Sequence, residues 1–212
     1  MTENVPPPPA GILREPQQQR SREKVARILA ATTRLLEEHA YEEIGTKLIA
    51  AEAGVSIGVL YRFFPDKHAI AGTLTLRWLD EFLELTERAL AGPRPATAGE
   101  LTSRVLDAHV RFRREQPGFR GLWFNGPPQP ALRAYDEEND ARLAAAIRTV
   151  LVSDYGYPDT PAFALRTALA VSTTGKLLDT AFRHRPEGDE AVLAEIRLML
   201  NGWLLDRSRS SG

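Results

Sequence analysis

Among the side chains able to do chemistry, the densest set lies in Ser56–Lys67, SIGVLYRFFPDK. Arg62 carries a planar fork of five donors, which matches the O6/N7 edge of guanine or a phosphate. Ile57 and Val59 offer methyl groups of the kind that meet thymine methyls, and Gly58 lets the backbone approach a groove closely. Lys67 opens the next helical stretch, beside free backbone N–H groups of the kind that receive phosphate. Taken singly, Tyr61 reads as a surface aromatic and Lys67 as a solvated charge. Their joint spacing with Gly54, Ser56, Leu60 and Phe64 is what points to nucleic acid.

Other chemistries find less support. The chain has no cysteine, which excludes disulfides, zinc fingers and thiol catalysis. His39, His68, His109 and His184 show no metal-ligand spacing, and no serine sits in a nucleophile elbow. No cofactor, no metal site and no enzymatic activity are expected. A net charge of −1 argues against coating nucleic acid or membrane by bulk attraction. Over Arg20–His68, eight Lys/Arg against seven Asp/Glu leave only +1, so any contact with DNA must be locally arranged. With no signal-peptide pattern and no long apolar run, the sequence reads as a cytoplasmic protein.

The elements that must position Arg62 are short helices. Gly54 sits where the chain turns sharply, a place for positive φ, and Val55 plugs the angle. Ser56 is placed to cap the next helix. Leu60 and Phe64, four apart, point inward, which leaves Ile57, Gly58, Tyr61 and Arg62 on the outer face. Two helices joined by a glycine turn, the second with an outward recognition face, make a helix-turn-helix.

The rest of the chain reads as helical throughout. Residues 1–20, with a tetraproline and a glutamine triplet, read as a flexible arm. Ser21 is placed to cap a first helix with Val25, Ile28, Leu29, Thr32, Leu35 and Leu36 inward. Short helices are expected over 45–53 and 56–64, and a long one from Asp66 to about Leu90 after Pro65. Further helices are expected over about 101–115, 119–125, 131–152, 161–184 and 188–206. No window alternates with period two, so the fold class is all-α. The expected division is a helix-turn-helix domain at 21–68 and a larger helical ligand-binding and dimerisation domain at 69–212.

The run IAAEAGVSIGVLYRFFPDK resembles the TetR family of bacterial transcriptional regulators, with the match specific over about Ser21–Ala71. The resemblance implies that Thr46, Tyr61 and Lys67 hold phosphates with Ser56 assisting. It further implies that Lys47, Ile57, Gly58, Val59 and Arg62 face bases, with Phe63 reaching the groove rim. It also implies a homodimer, a C-terminal pocket for a small molecule, and release from DNA when that pocket fills. Gly45 stands where Ser or Thr is commoner at a helix start, and Ile57 and Val59 replace polar residues, so readout by hydrogen bonds falls mainly on Arg62.

Trp78, Phe82, Phe112, Trp123 and Phe124 are the aromatic residues best placed to line an apolar pocket, against the plainer reading of core packing. Arg111 or Asp107 are candidates to orient a polar ligand. The last two helices carry much apolar surface, which on its own reads equally as monomer core. Paired with VSTTG (Val171–Gly175), whose small residues permit close helix approach, it leads to the expectation of a four-helix homodimer interface there. The sequence thus reads as a ligand-responsive DNA-binding regulator, a repressor on a palindromic operator. The rival reading is a helical ligand-binding or enzymatic protein whose N-terminal helices merely pack.

Overall fold

In a computed structural model of the protein, residues 19–126 and 130–206 are described. Apart from Gln19 and Arg20, the expected arm at 1–20 lies outside them. The described residues form nine α-helices and no strand, in keeping with the all-α expectation: α1 (Gln19–Glu38), α2 (Thr46–Glu52), α3 (Ile57–Phe63), α4 (Lys67–Ala91), α5 (Ala98–Glu115), α6 (Pro117–Asn125), α7 (Pro130–Tyr155), α8 (Pro161–Phe182) and α9 (Glu190–Met199). A 3-10 turn at Tyr41–Glu43 precedes α2, and α9 runs on into a π-helical turn, Leu200–Leu204.

Local chemistry sets most of these boundaries. Ser21 does not cap α1, because the helix already includes Gln19, whose amide donates to Glu23 Oε1 one turn on at 3.2 Å. α5 starts a turn earlier than the apolar pattern indicates. Thr97 and Glu100 form a reciprocal capping box there, with Glu100 N–H on Thr97 Oγ1 at 3.1 Å. Asp66 accepts the Ala69 N–H at 2.8 Å and so caps α4 as its sequence indicates.

The described chain divides into two compact units. The first takes in α1–α3, α4 as far as Trp78, and α6; the second takes in α4 from Leu79, α5, α7 from Tyr135, α8 and α9. In the first, Ile28, Leu29, Ile49, Leu60, Phe64 and Ile70 are almost wholly buried. Each such side chain contributes about 1.5–3 kcal/mol by leaving water. α6 lies against α1 at close range. A Cβ at Gly118 would stand 2.8 Å from the Thr33 carbonyl oxygen, and one at Gly121 would stand 3.0 Å from that of Leu36. In the second unit Leu101, Leu151, Phe163, Phe182, Leu193 and Ile196 form the core, and α8 packs on α9. Among the described residues no helix is long and apolar enough to cross a membrane.

Candidate nucleic-acid interface

α2 and α3 are joined by a tight glycine turn. The Val55 N–H reaches back to the Ala50 carbonyl at 3.0 Å and the Gly54 N–H to that of Ala51 at 3.1 Å, with Gly54 at φ +61°. That backbone region costs a residue with a Cβ about 1–2 kcal/mol, which is why glycine stands there. Ser56 Oγ then accepts the Val59 N–H at 3.3 Å and caps α3. Gly45 takes the matching position before α2 with no side chain to offer.

Of α3's side chains, Leu60 and Phe63 are buried, as is Phe64 just beyond it. On the opposite side Ile57 is 38% exposed and Tyr61 47%, with Gly58 and Arg62 also exposed. Val59 is half-buried at the edge of that face. Phe63 does not reach any rim. At 3% exposure it belongs to the inward stripe with Leu60, three residues back, and Arg62 lays its guanidinium 5.1 Å from the Phe63 ring centroid.

Around this face the structure gathers several expected side chains. Thr46 Oγ1, in the first turn of α2, is 3.0 Å from Tyr61 Oη. Lys47 and Ser56 are exposed. Lys67 is half-buried and is not a bare surface charge. Its Nζ donates to the carbonyls of Tyr41 (3.1 Å) and Glu42 (3.2 Å) and lies 4.5 Å over the Tyr41 ring. An ammonium has three donors, so one remains for an anion. Tyr41 in turn has its hydroxyl 2.9 Å from His68 Nδ1, and burial, with Asp66 and Glu42 nearby, pushes its pKa up to about 12. Arg34 of α1 pairs with Glu52 of α2 at 2.9 Å, bracing the far end of α2.

Leu48, a large apolar side chain on α2 beside Lys47, is 40% exposed and is not among the expected site residues. Its signal was available: the inward pair Ile49 and Ala50 places position 48 off the buried stripe.

Four of the expected pocket aromatics, Trp78, Phe82, Phe112 and Trp123, are packed against other rings. In the first unit Trp78 is buried edge-on to Phe119 at 5.4 Å, Trp123 stacks on Phe119 at 5.3 Å, and Phe124 is half-buried. In the second, Phe82 stacks on His109 at 5.3 Å and meets Phe112 edge-on at 4.6 Å, with the Arg113 guanidinium 4.8 Å from its centroid. His109 is half-buried beside Thr86 Oγ1 at 2.8 Å, and desolvation, then Arg113, pushes its pKa down to about 3. Among the described residues no group of His, Asp or Glu is arranged to hold a metal ion.

Comparison with known proteins gives a consistent picture. A family described as "Bacterial regulatory proteins, tetR family" matches residues 28–73, and one described as "Tetracyclin repressor-like, C-terminal domain" matches 96–208. The HTH-type transcriptional repressor KstR of Mycolicibacterium smegmatis is 36% identical over 75 residues, which is 35% of this chain. The chain spans 37% of the length of that curated relative. A TetR-family regulator from Streptomyces coelicolor, known as a crystal structure, is 30% identical. It covers 91% of this chain and is itself covered over 99%, at a TM-score of 0.65. PfmR of Thermus thermophilus is 25% identical over 82% of this chain and 94% of its own, at 0.60. The fatty acid degradation regulator FadR of Bacillus halodurans, at 15% identity over 88% of this chain and 96% of its own, shares the fold with a TM-score of 0.68.

Proposed function

Since the chain belongs to the tetR family of bacterial regulatory proteins, we propose that it is a ligand-responsive transcriptional regulator: a cytoplasmic repressor that binds a palindromic operator as a homodimer and leaves it when a small molecule binds. Residues 21–68 read DNA, and residues 69–212 carry the effector and dimer surfaces. The repressor role follows the name of the curated relative, matched over part of the chain.

The observation that carries this reading is the division of α3 into a buried side and an exposed one bearing Ile57, Gly58, Tyr61 and Arg62. In the major groove, Arg62 takes a guanine edge, a bidentate contact that discriminates bases by about 1–3 kcal/mol. Ile57, Val59 and Lys47 meet neighbouring bases. Thr46, Tyr61 and Lys67, with Ser56, hold the phosphates and fix the register. With so few hydrogen-bonding side chains on α3, DNA shape supplies part of the choice of sequence.

The dimer forms through α8 and α9. Leu165 (61% exposed) and Leu169 (47%) lie one turn apart on α8, and Leu198 (63%) is on α9, an apolar set that a second copy would cover. A two-fold pair spaces its reading helices about 34–36 Å apart, one turn of DNA. Leu169→Asp should sediment as a folded monomer; a variant that stays dimeric removes these helices from the interface. The effector is partly apolar, and within the second unit Phe82 and Phe112 are the aromatic candidates to meet it.

The function is tested by fluorescence anisotropy with the DNA upstream of the protein's own gene. Salt-sensitive, sequence-selective binding is expected. No binding at low salt would overturn the reading.

A further inference from the structure

The second unit carries an open groove of about 620 Å³ beside α5 and the π-helical turn, lined among others by Gly99, Glu100, Arg104, Asp107, Arg111 and Asn201. We propose that this groove binds a small organic anion, a carboxylate or a phosphate ester, held by Arg104 and Arg111.

The charges in the groove are unequally committed. Glu100 spends its carboxylate on the backbone, accepting the N–H groups of Ala96 (2.9 Å) and Thr97 (3.3 Å). Asp107 Oδ1 accepts from Arg197 Nη2 at 2.8 Å. The two acids are therefore answered within the protein. The two arginines are not. Arg104 gives Nη1 to the Pro93 carbonyl at 2.6 Å, while its Nε and Nη2 are shut from solvent with no hydrogen-bond partner. Arg104 nevertheless stands on the groove wall, where the charge of its guanidinium favours a carboxylate or phosphate. Arg111 is exposed and makes no hydrogen bond or ion pair among the described residues.

Spacing favours one ligand touching both. Glu100, Arg104, Asp107 and Arg111 recur at four, three and four residues, one face of α5, which puts the two arginines about 10 Å apart along the helix. At the head of this face the Gly99 N–H, in the first turn of an eighteen-residue helix, has no acceptor among the described residues. The positive end of the helix adds to the same preference for an anion. Asn201 contributes from the opposite wall, its amide already oriented by donating to the Arg197 carbonyl at 2.9 Å. A π-turn at that wall is the kind of helix irregularity often found at binding sites.

The test needs no DNA, so its outcome is separate from that of the regulator reading. Amide chemical shifts of the full chain are followed by NMR during titration with inorganic phosphate, and in a second arm with acetate, each against sodium chloride at matched ionic strength. Saturable shifts at Gly99 and its neighbours are expected, with a dissociation constant on the order of millimolar for so small a probe. Response to phosphate alone assigns a phosphate ester; response to acetate as well admits carboxylates. Arg111→Gln, a surface change that leaves the fold intact, should weaken binding about tenfold, as loss of one charge-assisted contact does. Arg104→Gln should abolish it. If Arg104→Gln fails to fold, Arg111→Gln decides alone. No shifts beyond the chloride control, or shifts unchanged in Arg111→Gln, would overturn the proposal.

Discussion

Thr46 and Tyr61 meet through their hydroxyls, 3.0 Å apart, and so tie the first turn of α2 to the exposed side of α3. Each helix is only seven residues long, below the length at which a helix holds itself in water. Neither can place a side chain on DNA unless something fixes it. The core below does most of this through Ile49, Leu60 and Phe64, and the hydroxyl pair fixes the surface above.

Tyr61→Phe keeps the ring and removes the hydroxyl. Stability should hardly change, because the pair is exposed and water replaces the lost bond. Operator affinity should fall by about 1 kcal/mol, the net value of one hydrogen bond, with no change in preferred sequence. Equal affinity for wild type and variant in anisotropy titrations would remove Tyr61 from the phosphate contacts.

Arg62 and Lys67 should separate base reading from backbone grip. Arg62→Ala is expected to cost about 1–3 kcal/mol on the preferred operator and to relax discrimination at one base pair. Lys67→Ala should weaken every sequence alike and flatten the salt dependence by about one phosphate. It should also lower the melting temperature, because Lys67 bonds two carbonyls and covers the Tyr41 ring, whereas Arg62 makes no hydrogen bond among the described residues and has only its contact with the Phe63 ring to lose. A Lys67→Ala protein with wild-type stability and a lost base preference would reverse this assignment.

Gly118→Ala probes the seat of α6 on α1. Alanine normally gains up to about 1 kcal/mol over glycine inside a helix, but Gly118 is in the first turn, where the gain is small. Against it stands a contact of 2.8 Å with the Thr33 carbonyl and 3.0 Å with Thr33 Cγ2, neither able to move without shifting α1. Overpacking should win, destabilising the protein by about 1–3 kcal/mol in urea titration. A neutral or stabilised variant would show that α6 can retreat from α1 freely.

These cases mark what could be read in advance. The turn at Gly54, the Ser56 cap and the inward pair Leu60 and Phe64 follow from local chemistry, and the sequence displays them. Phe63 lies in the core and not at the rim because one step around a short helix decides between the two, and that step depends on what lies beneath. The double use of Lys67 depends on the Tyr41–Glu43 turn, which no periodicity announces. The seat of α6 rests on two glycines meeting carbonyls more than eighty residues earlier, a long-range fit with no local signature.

His109 makes a prediction about pH. Its folded pKa, about 3, lies below the ordinary value near 6.5, because burial first and Arg113 second disfavour the cation. Between those limits the unfolded chain binds a proton that the folded chain refuses, so the contribution of His109 is complete above about pH 6.5 and is lost as pH falls toward 3. Asp140 acts in the opposite sense. Burial, with Asp136 beside it, pushes its pKa up to about 6, so its contribution declines as pH rises from about 4 to 6. The two can mask each other in wild-type melting curves, and the remedy is a variant that removes only one. His109→Gln keeps an amide able to bond the Thr86 hydroxyl but takes up no proton. Loss of the stacking on Phe82 should lower its melting temperature at pH 7. Between pH 7 and pH 4 it should then lose less stability than wild type, since Asp140 is common to both. Parallel curves for the two proteins would mean that His109 is protonated in the folded state.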